Sequence, residues 1–581
     1  MFERLPQNYV PTHYDLYIHY KKREYPFNAS VTITFQKNQD DEKVFLHFNS
    51  NIAIISVIQN GHPLKFTMDF PKLIIYRSED PEQDISTYPI TIDYQVIPLC
   101  NTKDGFYSYE DCYFTFFEPN YARTLLPCFD EPCNRSSFKV RIRIPSDLNG
   151  VSNMPIQTIK LTEEEKEITF LETPAMCSYL LCICVGNFQA IEDKTKNGLP
   201  VKIYASKDIE KYGLYLTMAI YSVEWMEEKT SIKLELPHLQ LISHEGLGIG
   251  MENYGLIALQ TCLGRDFLIN TLTIMHEIAH QWFGDLVSIK WWDSIWLNEG
   301  FAQYFEYLIL RDSLNKSHDY SMDLFTKYDG LSCLVFFDNS KIYENESEID
   351  YSKELLNHIH YIKGAFVLRM FSNIVGEDNF MKVCSTWLSK YQHKSAEIPD
   401  FIKIVNDTLE NDFTSFFDIW LKEPGLPLLN VVEMYDEHDE VVGIIITQCS
   451  ISEKTYQFKL PIVYEKNGEV KKFDVMIKDE ETVVDADFDW ILVNDGMASL
   501  CAVIYSKFLL EKLVDAKNDN KISYSNSCLI AKSPLYIEKE FTIDEEIKSM
   551  CRTFDEDEEE IIFDEEEILS NSLNNNSQDL S

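Results

Sequence analysis

Two histidines one helical turn apart, with a glutamate beside the first, constrain this chain more than any other feature. The stretch is His276-Glu277-Ile278-Ala279-His280, and Glu299 follows after eighteen intervening residues, in Trp296-Leu297-Asn298-Glu299-Gly300. The run from Thr271 to Gly284 reads as one helix with a glycine stop. Positions i and i+4 share a helix face, so both imidazoles can reach one metal ion at roughly 2.0–2.1 Å. A second helix is expected from Leu297 to Leu308, with Glu299 in its first turn. Two His and one Glu leave the fourth position of a tetrahedral ion open, the arrangement of a catalytic rather than a structural zinc. Glu277, offset by one residue, is placed to work as general base on a water held there. A bare HExxH arises by chance in many chains, and paired helical histidines are often only packed side chains. The acidic residue at a fitting distance is what favours a one-zinc hydrolase.

Composition narrows the setting. At 581 residues, three or four domains with real cores are expected. The net charge of −42 argues against nucleic acid as a partner, because phosphates are neutralised by basic patches. No basic-then-apolar leader follows Met1, and no apolar run approaches the roughly eighteen residues of a membrane span. Neither a signal peptide nor a membrane segment is expected. The 14 cysteines are scattered and form no CxxC sets; Cys182 and Cys184, in the apolar run 179–185, read as small buried hydrophobes. Reduced thiols and a cytoplasmic location follow as expectations.

The pattern divides the chain into four parts. Residues 1–188 are strand-rich: Phe138 to Ile144 and Val31 to Phe35 alternate apolar and polar side chains. Residues 189–425 turn helical, through Tyr212 to Glu228, the two metal helices and Tyr361 to Phe371. Residues 426–510 return to strands, with a hairpin from Pro461 to Ile477 turning on Asn467-Gly468, and suggest a small β-sandwich. In residues 511–581 the periodicity fades. Between Glu538 and Glu567 stand 15 acids and 3 bases, a net of −12. An acidic, disordered tail is expected, in which Ile561-Ile562-Phe563 between two acidic blocks could dock on a basic protein surface, although a solvated tail is the commoner outcome. The fold class is therefore multidomain α+β.

Further motifs, in order along the chain, carry a resemblance. They are Leu5-Pro6 with Pro11 to Leu16; Glu118-Pro119, Ala122-Arg123 and Pro127 to Pro132; Gly250-Met251-Glu252-Asn253; His276 to Glu299; and Tyr361-x-Lys363-Gly364. Together they resemble the zinc aminopeptidases of the aminopeptidase N and puromycin-sensitive aminopeptidase type, the gluzincin metallopeptidases. The resemblance implies a thermolysin-like catalytic domain for 189–425, with one zinc ion on His276, His280 and Glu299. It makes Glu277 the general base and Tyr361 the hydroxyl donor to the oxyanion. It implies that Glu252, with Gly250, Met251 and Asn253 of the GxMEN motif, and Glu118 bind the free N-terminus of a peptide. Carboxylates suit that task, since they pair with an ammonium and fix its position.

Three positions depart from the family pattern. Ile249 stands where the motif's first Gly is usual, Phe116 where Gln is common, and Gln260-Thr261 where Arg-Glu is usual. They predict a reshaped, more apolar substrate pocket with the metal chemistry untouched. Long members also carry a helical C-terminal domain over the active site, and 511–581 reads as a vestigial or truncated form of it. The competing readings are a catalytically impaired relative serving as a binding scaffold and an epoxide hydrolase on the same frame. Intact His276, Glu277, His280 and Glu299 speak against the first, and the extra sandwich against the second.

Overall fold

The computed structural model describes residues 4–22, 24–78, 87–262, 264, 266–314, 341–342, 359–450, 452–523, 526–527 and 529–531. The acidic blocks at 555–567, with the tail and docking motif expected there, lie outside the described residues. Contacts divide the chain into two compact units, one of residues 1–294 and 388–397, the other of 295–387 and 398–581.

The first unit opens with a nine-stranded sheet built around β1 (Tyr9–His19). β1 pairs antiparallel with β2 (Phe27–Lys37) and parallel with β3 (Arg135–Pro145). Alternate residues are buried along β3, from Ser136 through Phe138 and Val140 to Ile144, so the apolar–basic alternation of the sequence becomes an inner and an outer face. The expected strand at 179–185 divides into a short 3-10 turn, Ser178–Leu180, and a strand, Ile183–Gly186. Cys182 and Cys184 are fully buried there with their sulfurs 3.8 Å apart, and all eleven described cysteines are unbridged.

Beyond the large sheet, a five-stranded sheet carries the site. Its parallel strands β4 (Pro200–Ala205), β5 (Leu239–Ser243) and β7 (Leu256–Leu259) neighbour one another. The short β6 (Gly250–Met251) pairs antiparallel with β7 and, among the described residues, ends the sheet with one side as an edge. Helix α1 (Gly213–Thr230) connects β4 to β5 and packs on α2 (Phe267–His280). α2 lies four residues earlier than the glycine stop suggested. Asp266 caps its start by accepting from the Leu268 and Ile269 amides at 2.8 and 3.2 Å, and the chain leaves the helix at His280 to pair Val287–Ile289 with Lys394–Ala396.

In the second unit, α3 (Trp296–Ser313) carries Glu299 in its first turn. A π turn, Ile359–Lys363, leads into α4 (Gly364–Val375), where a plain helix was expected from Tyr361. α3 and α4 meet at two glycines: a Cβ on Gly300 would stand 3.0 Å from the Gly364 backbone. Strands from Leu428 to Tyr505 form a four-stranded and a three-stranded sheet. In the latter, β8 (Phe458–Lys466) and β9 (Glu469–Ile477) make the expected hairpin, with both Asn467 and Gly468 at positive φ, and β10 (Trp490–Val493) flanks β8. One reading needs correction. The pattern did not fade at 510, because α5 (Lys507–Asn518), capped by Ser506, buries Leu509, Leu510, Leu513 and Ala516 at helical spacing.

The N-terminal fold holds a pH-sensitive contact. Glu131 is 2% exposed and accepts from the Leu5 amide and Gln7 Nε2. Burial pushes its carboxyl up to about 7, against the partial opposition of the Leu5 N–H and the Arg4 charge. Between an unfolded value near 4.5 and that value, the folded chain keeps a proton that the unfolded chain releases, so this contact loses stability as pH rises through 7. Between pH 5 and pH 8 the parent is expected to lose on the order of 2–3 kcal/mol more than Glu131→Gln. Urea unfolding at the two pH values measures the difference.

Candidate metal and substrate site

The last turn of α2 concentrates the chemistry. His276 and His280 are 8% and 1% exposed, with imidazole Nε2 atoms 3.0 Å apart. His280 Nδ1 lies 2.9 Å from the Phe283 carbonyl oxygen, so Nδ1 carries the proton and Nε2 presents a lone pair. Two ligands at zinc distance around one tetrahedral ion stand about 3.4 Å apart, so the pair needs only a small opening to share one. The donor chemistry, two imidazoles with carboxylates at hand, fits zinc.

Carboxylates gather beside this pair. Glu252, Glu277 and His280 each bring a ligand atom within 4.8 Å of the others, and all three are buried. Glu252 follows β6, so the sheet edge and the last turn of α2 face the same point. Glu277 lies directly under the strand: a Cβ on Gly250 would fall 2.0 Å from Glu277 Oε1. Only a glycine leaves that carboxylate where it is. Gly250 itself is half-buried, whereas Met251 and Asn253 are fully buried. Glu118, 6% exposed, belongs to the same surroundings: burial first, then the charges of Glu252, Cys177, Asp285 and Glu118, hold the Tyr179 hydroxyl well above its ordinary value.

Residues at which the sequence departs from the family pattern come together beside β6: Ile249 precedes it, and the Gln260 amide donates to the Ile249 carbonyl at 3.3 Å. A Cβ on Gly248 would meet the Phe116 ring at 3.3 Å, and Ile249 is 64% exposed. Glu299 and Tyr361 belong to the second unit. Glu299 is 2% exposed on α3, next to the Gly300–Gly364 contact, and Tyr361 sits half-buried in the π turn three residues before Gly364. Helices of this kind widen mostly at functional positions.

Three residues escaped the sequence reading. Gln281, fully buried, donates from Nε2 to the Glu252 carbonyl at 2.7 Å and accepts from the Gly255 amide at 2.9 Å. Asn153, just past the strand Asn149–Ser152 of a four-stranded sheet, donates to the Leu180 and Tyr254 carbonyls at 2.8 and 3.0 Å. Asp285 is fully buried, and burial, reinforced by Glu252 and Glu277 against the Arg135 charge, drives its carboxyl far above the usual range. Gln281 borders the motif and could have been suspected; the other two act through contacts distant in sequence.

Comparison with known proteins agrees with this site. The Peptidase M1 N-terminal domain matches residues 10–180 and the Peptidase family M1 domain matches 215–420. The chain belongs to peptidase family M1, whose members are in general zinc-dependent. It is 29% identical to probable aminopeptidase 1 of Sulfurisphaera tokodaii, over 86% of this chain and 63% of that protein. It is 28% identical to the puromycin-sensitive aminopeptidase of Caenorhabditis elegans, over 88% and 58% respectively. With the tricorn protease-interacting factor F2 of Thermoplasma acidophilum the identity is 30%, over 81% of this chain and 60% of the relative. The chain thus spans roughly half to two-thirds of the length of the curated relatives it matches.

A direct metal test follows. Stripped with a chelator and dialysed, the chain is expected to take up one zinc ion. His276→Ala and His280→Ala should each weaken uptake by more than the roughly 10- to 100-fold that loss of an outer partner costs. Competition with a chromophoric chelator reads the affinity.

Proposed function

We propose that this chain is a zinc-dependent aminopeptidase, which removes single residues from peptides with a free N-terminus. The observation that carries the proposal is the buried cluster of Glu252, Glu277 and His280, with His276 Nε2 3.0 Å from His280 Nε2. It joins a metal-binding pair, a base and a cation-binding carboxylate in one place. His276, His280 and, from the sequence spacing, Glu299 would hold a single ion. Bound there, zinc would polarise the scissile carbonyl and bring the pKa of a water down to about 7.

The protein's own groups divide the remaining work. The edge of β6 offers main-chain hydrogen bonds to an extended peptide, which would align its first residue with the cluster. Glu252, with Glu118, takes the α-ammonium and so measures one residue from the chain end. Glu277 accepts the proton of the attacking water and returns it to the leaving amine. Tyr361 donates its hydroxyl to the oxygen on which negative charge develops. Phe116 and Ile249 bring apolar surface to the approach, which favours an apolar first residue.

The catalytic domain would be thermolysin-like over 189–425, within the division 1–188, 189–425, 426–510 and 511–581. A cytoplasmic location agrees with the unbridged cysteines, and among the described residues no helix is long and apolar enough to cross a membrane.

Aminoacyl-coumarin substrates test the proposal. The chain should cleave them when the amino group is free and fail on the N-acetylated forms. Glu277→Gln should lower kcat by at least 100-fold, within the range of a lost general base, while zinc content stays at the parent level. Equal cleavage of acetylated substrate would remove the aminopeptidase reading, and full activity in Glu277→Gln would remove the base assignment.

A further inference from the structure

The second unit contains a cavity that the peptidase chemistry does not use. Its volume is about 410 Å³, and it lies on one face of the three-stranded sheet β9–β8–β10. Alternation along the strands sets its character. Pro461 and Val463 of β8 and Trp490 and Leu492 of β10 form an apolar floor. Around them stand Lys459, Lys472, Lys521 and Arg369, against two lining acids, Asp474 and Asp495. A net positive surface is unusual on a chain whose overall charge is −42.

Two details indicate a surface made for an occupant. Val470 and Met476, in step with Lys472 and Asp474 on the same face of β9, are 61% and 38% exposed and extend the apolar floor into solvent. The Trp490 indole N–H is buried and has no hydrogen-bond partner among the described residues, a state that costs about 1–3 kcal/mol until an acceptor arrives. Arg369 is fixed by the Met497 and Gly496 carbonyls at 3.1 Å each, and Lys459 also reaches the Asn373 carbonyl at 3.3 Å, while the three lysines carry acidic partners. Lys459 pairs with Asp474 at 2.8 Å, Lys472 with Asp495 at 2.5 Å and Lys521 with Glu465 at 2.8 Å, and the three lysines are 35%, 54% and 38% exposed. The Lys459–Asp474 and Lys472–Asp495 pairs lie towards solvent and contribute roughly 0–1 kcal/mol, so incoming carboxylates can replace them, whereas Lys521 stays on the buried Glu465 and offers its exposed side to the occupant.

We propose that this cavity is the docking site of the chain's own segment 555–567. That segment reads acid block, Ile561-Ile562-Phe563, acid block, with Asp555 to Glu560 on one side and Asp564 to Glu567 on the other. Its order of charge and apolar side chains complements a cationic rim around an apolar floor. The connection reaches easily: Asn526 lines the cavity, and the 29 residues from there to Asp555 (555 − 526) span up to about 100 Å when extended. Tethering makes the encounter intramolecular, which raises the segment's effective concentration at the cavity. The acidic blocks supply carboxylates to the lysines, the apolar triplet covers the exposed Val470 and Met476, and a segment carbonyl satisfies the Trp490 N–H.

Zero-length carbodiimide crosslinking of the full chain, mapped by mass spectrometry, tests this. Crosslinks from acids of 555–567 should fall on Lys459, Lys472 and Lys521 at least fivefold more often than on lysines of equal or greater exposure, such as Lys160 at 76%. A mixture of ¹⁴N and ¹⁵N protein should give only same-isotope pairs. Ile561→Ser combined with Phe563→Ser keeps every carboxylate and should reduce these crosslinks to the background of other lysines. Crosslinks scattered in proportion to lysine exposure would overturn the proposal. So would mixed-isotope pairs, which mean docking between copies, or a pattern unchanged in the double variant.

Discussion

One side chain ties the parts of this site together. Gln281 lies immediately after the second histidine, and its amide forks to the Glu252 carbonyl at 2.7 Å and the Gly255 N–H at 2.9 Å. All of these groups are buried, where an unsatisfied amide costs about 1–3 kcal/mol, so the fork is strongly held. The helix turn that carries His276, Glu277 and His280 therefore also fixes the loop that carries Glu252. Asn153 anchors the same loop from the other side through the Tyr254 carbonyl, and Gly255, at φ +81, lets the backbone pass within reach of the Asn153 carbonyl.

The electrostatics follow from this confinement. Glu252, Glu277 and Asp285 are packed into one buried region, and burial of like charges is unfavourable unless protons or cations compensate. Burial and the charges of Glu252 and Glu277 push the Asp285 carboxyl well above its ordinary value, which eases part of the conflict. On the proposed function, the remaining carboxylates and the histidine pair would accept a divalent cation and an ammonium. Those are the two cations that the proposed reaction brings together. Gly248 and Gly250 serve the same end, because a side chain at either position would press on Phe116 or on Glu277.

Much of this was legible in the sequence wherever a feature depended on local periodicity. The i, i+4 histidines, the alternating strands and the Asn467-Gly468 turn all appear as read. Features that depend on tertiary packing were hidden. Asp266 capped α2 earlier than Thr271 suggested, because a single acidic residue outside the apolar pattern gives little signal. The π turn at Ile359–Lys363 has no composition of its own. Helix α5 was overlooked because the charged composition downstream of 510 masked the spacing of Leu509, Leu510 and Leu513. Gln281, Asn153 and Asp285 owe their roles to partners that no spacing rule connects.

On the proposed function, Gln281 lets the turn that carries His276 and His280 position the loop that carries Glu252. Gln281→Met keeps the side-chain volume and removes the fork. The account predicts zinc content at the parent level, with kcat/KM for a free-amino aminoacyl-coumarin lowered about 10- to 100-fold, mainly through a higher KM, as expected for about 1–3 kcal/mol of lost positioning. A variant with full zinc and the parent's kcat/KM and KM would contradict it.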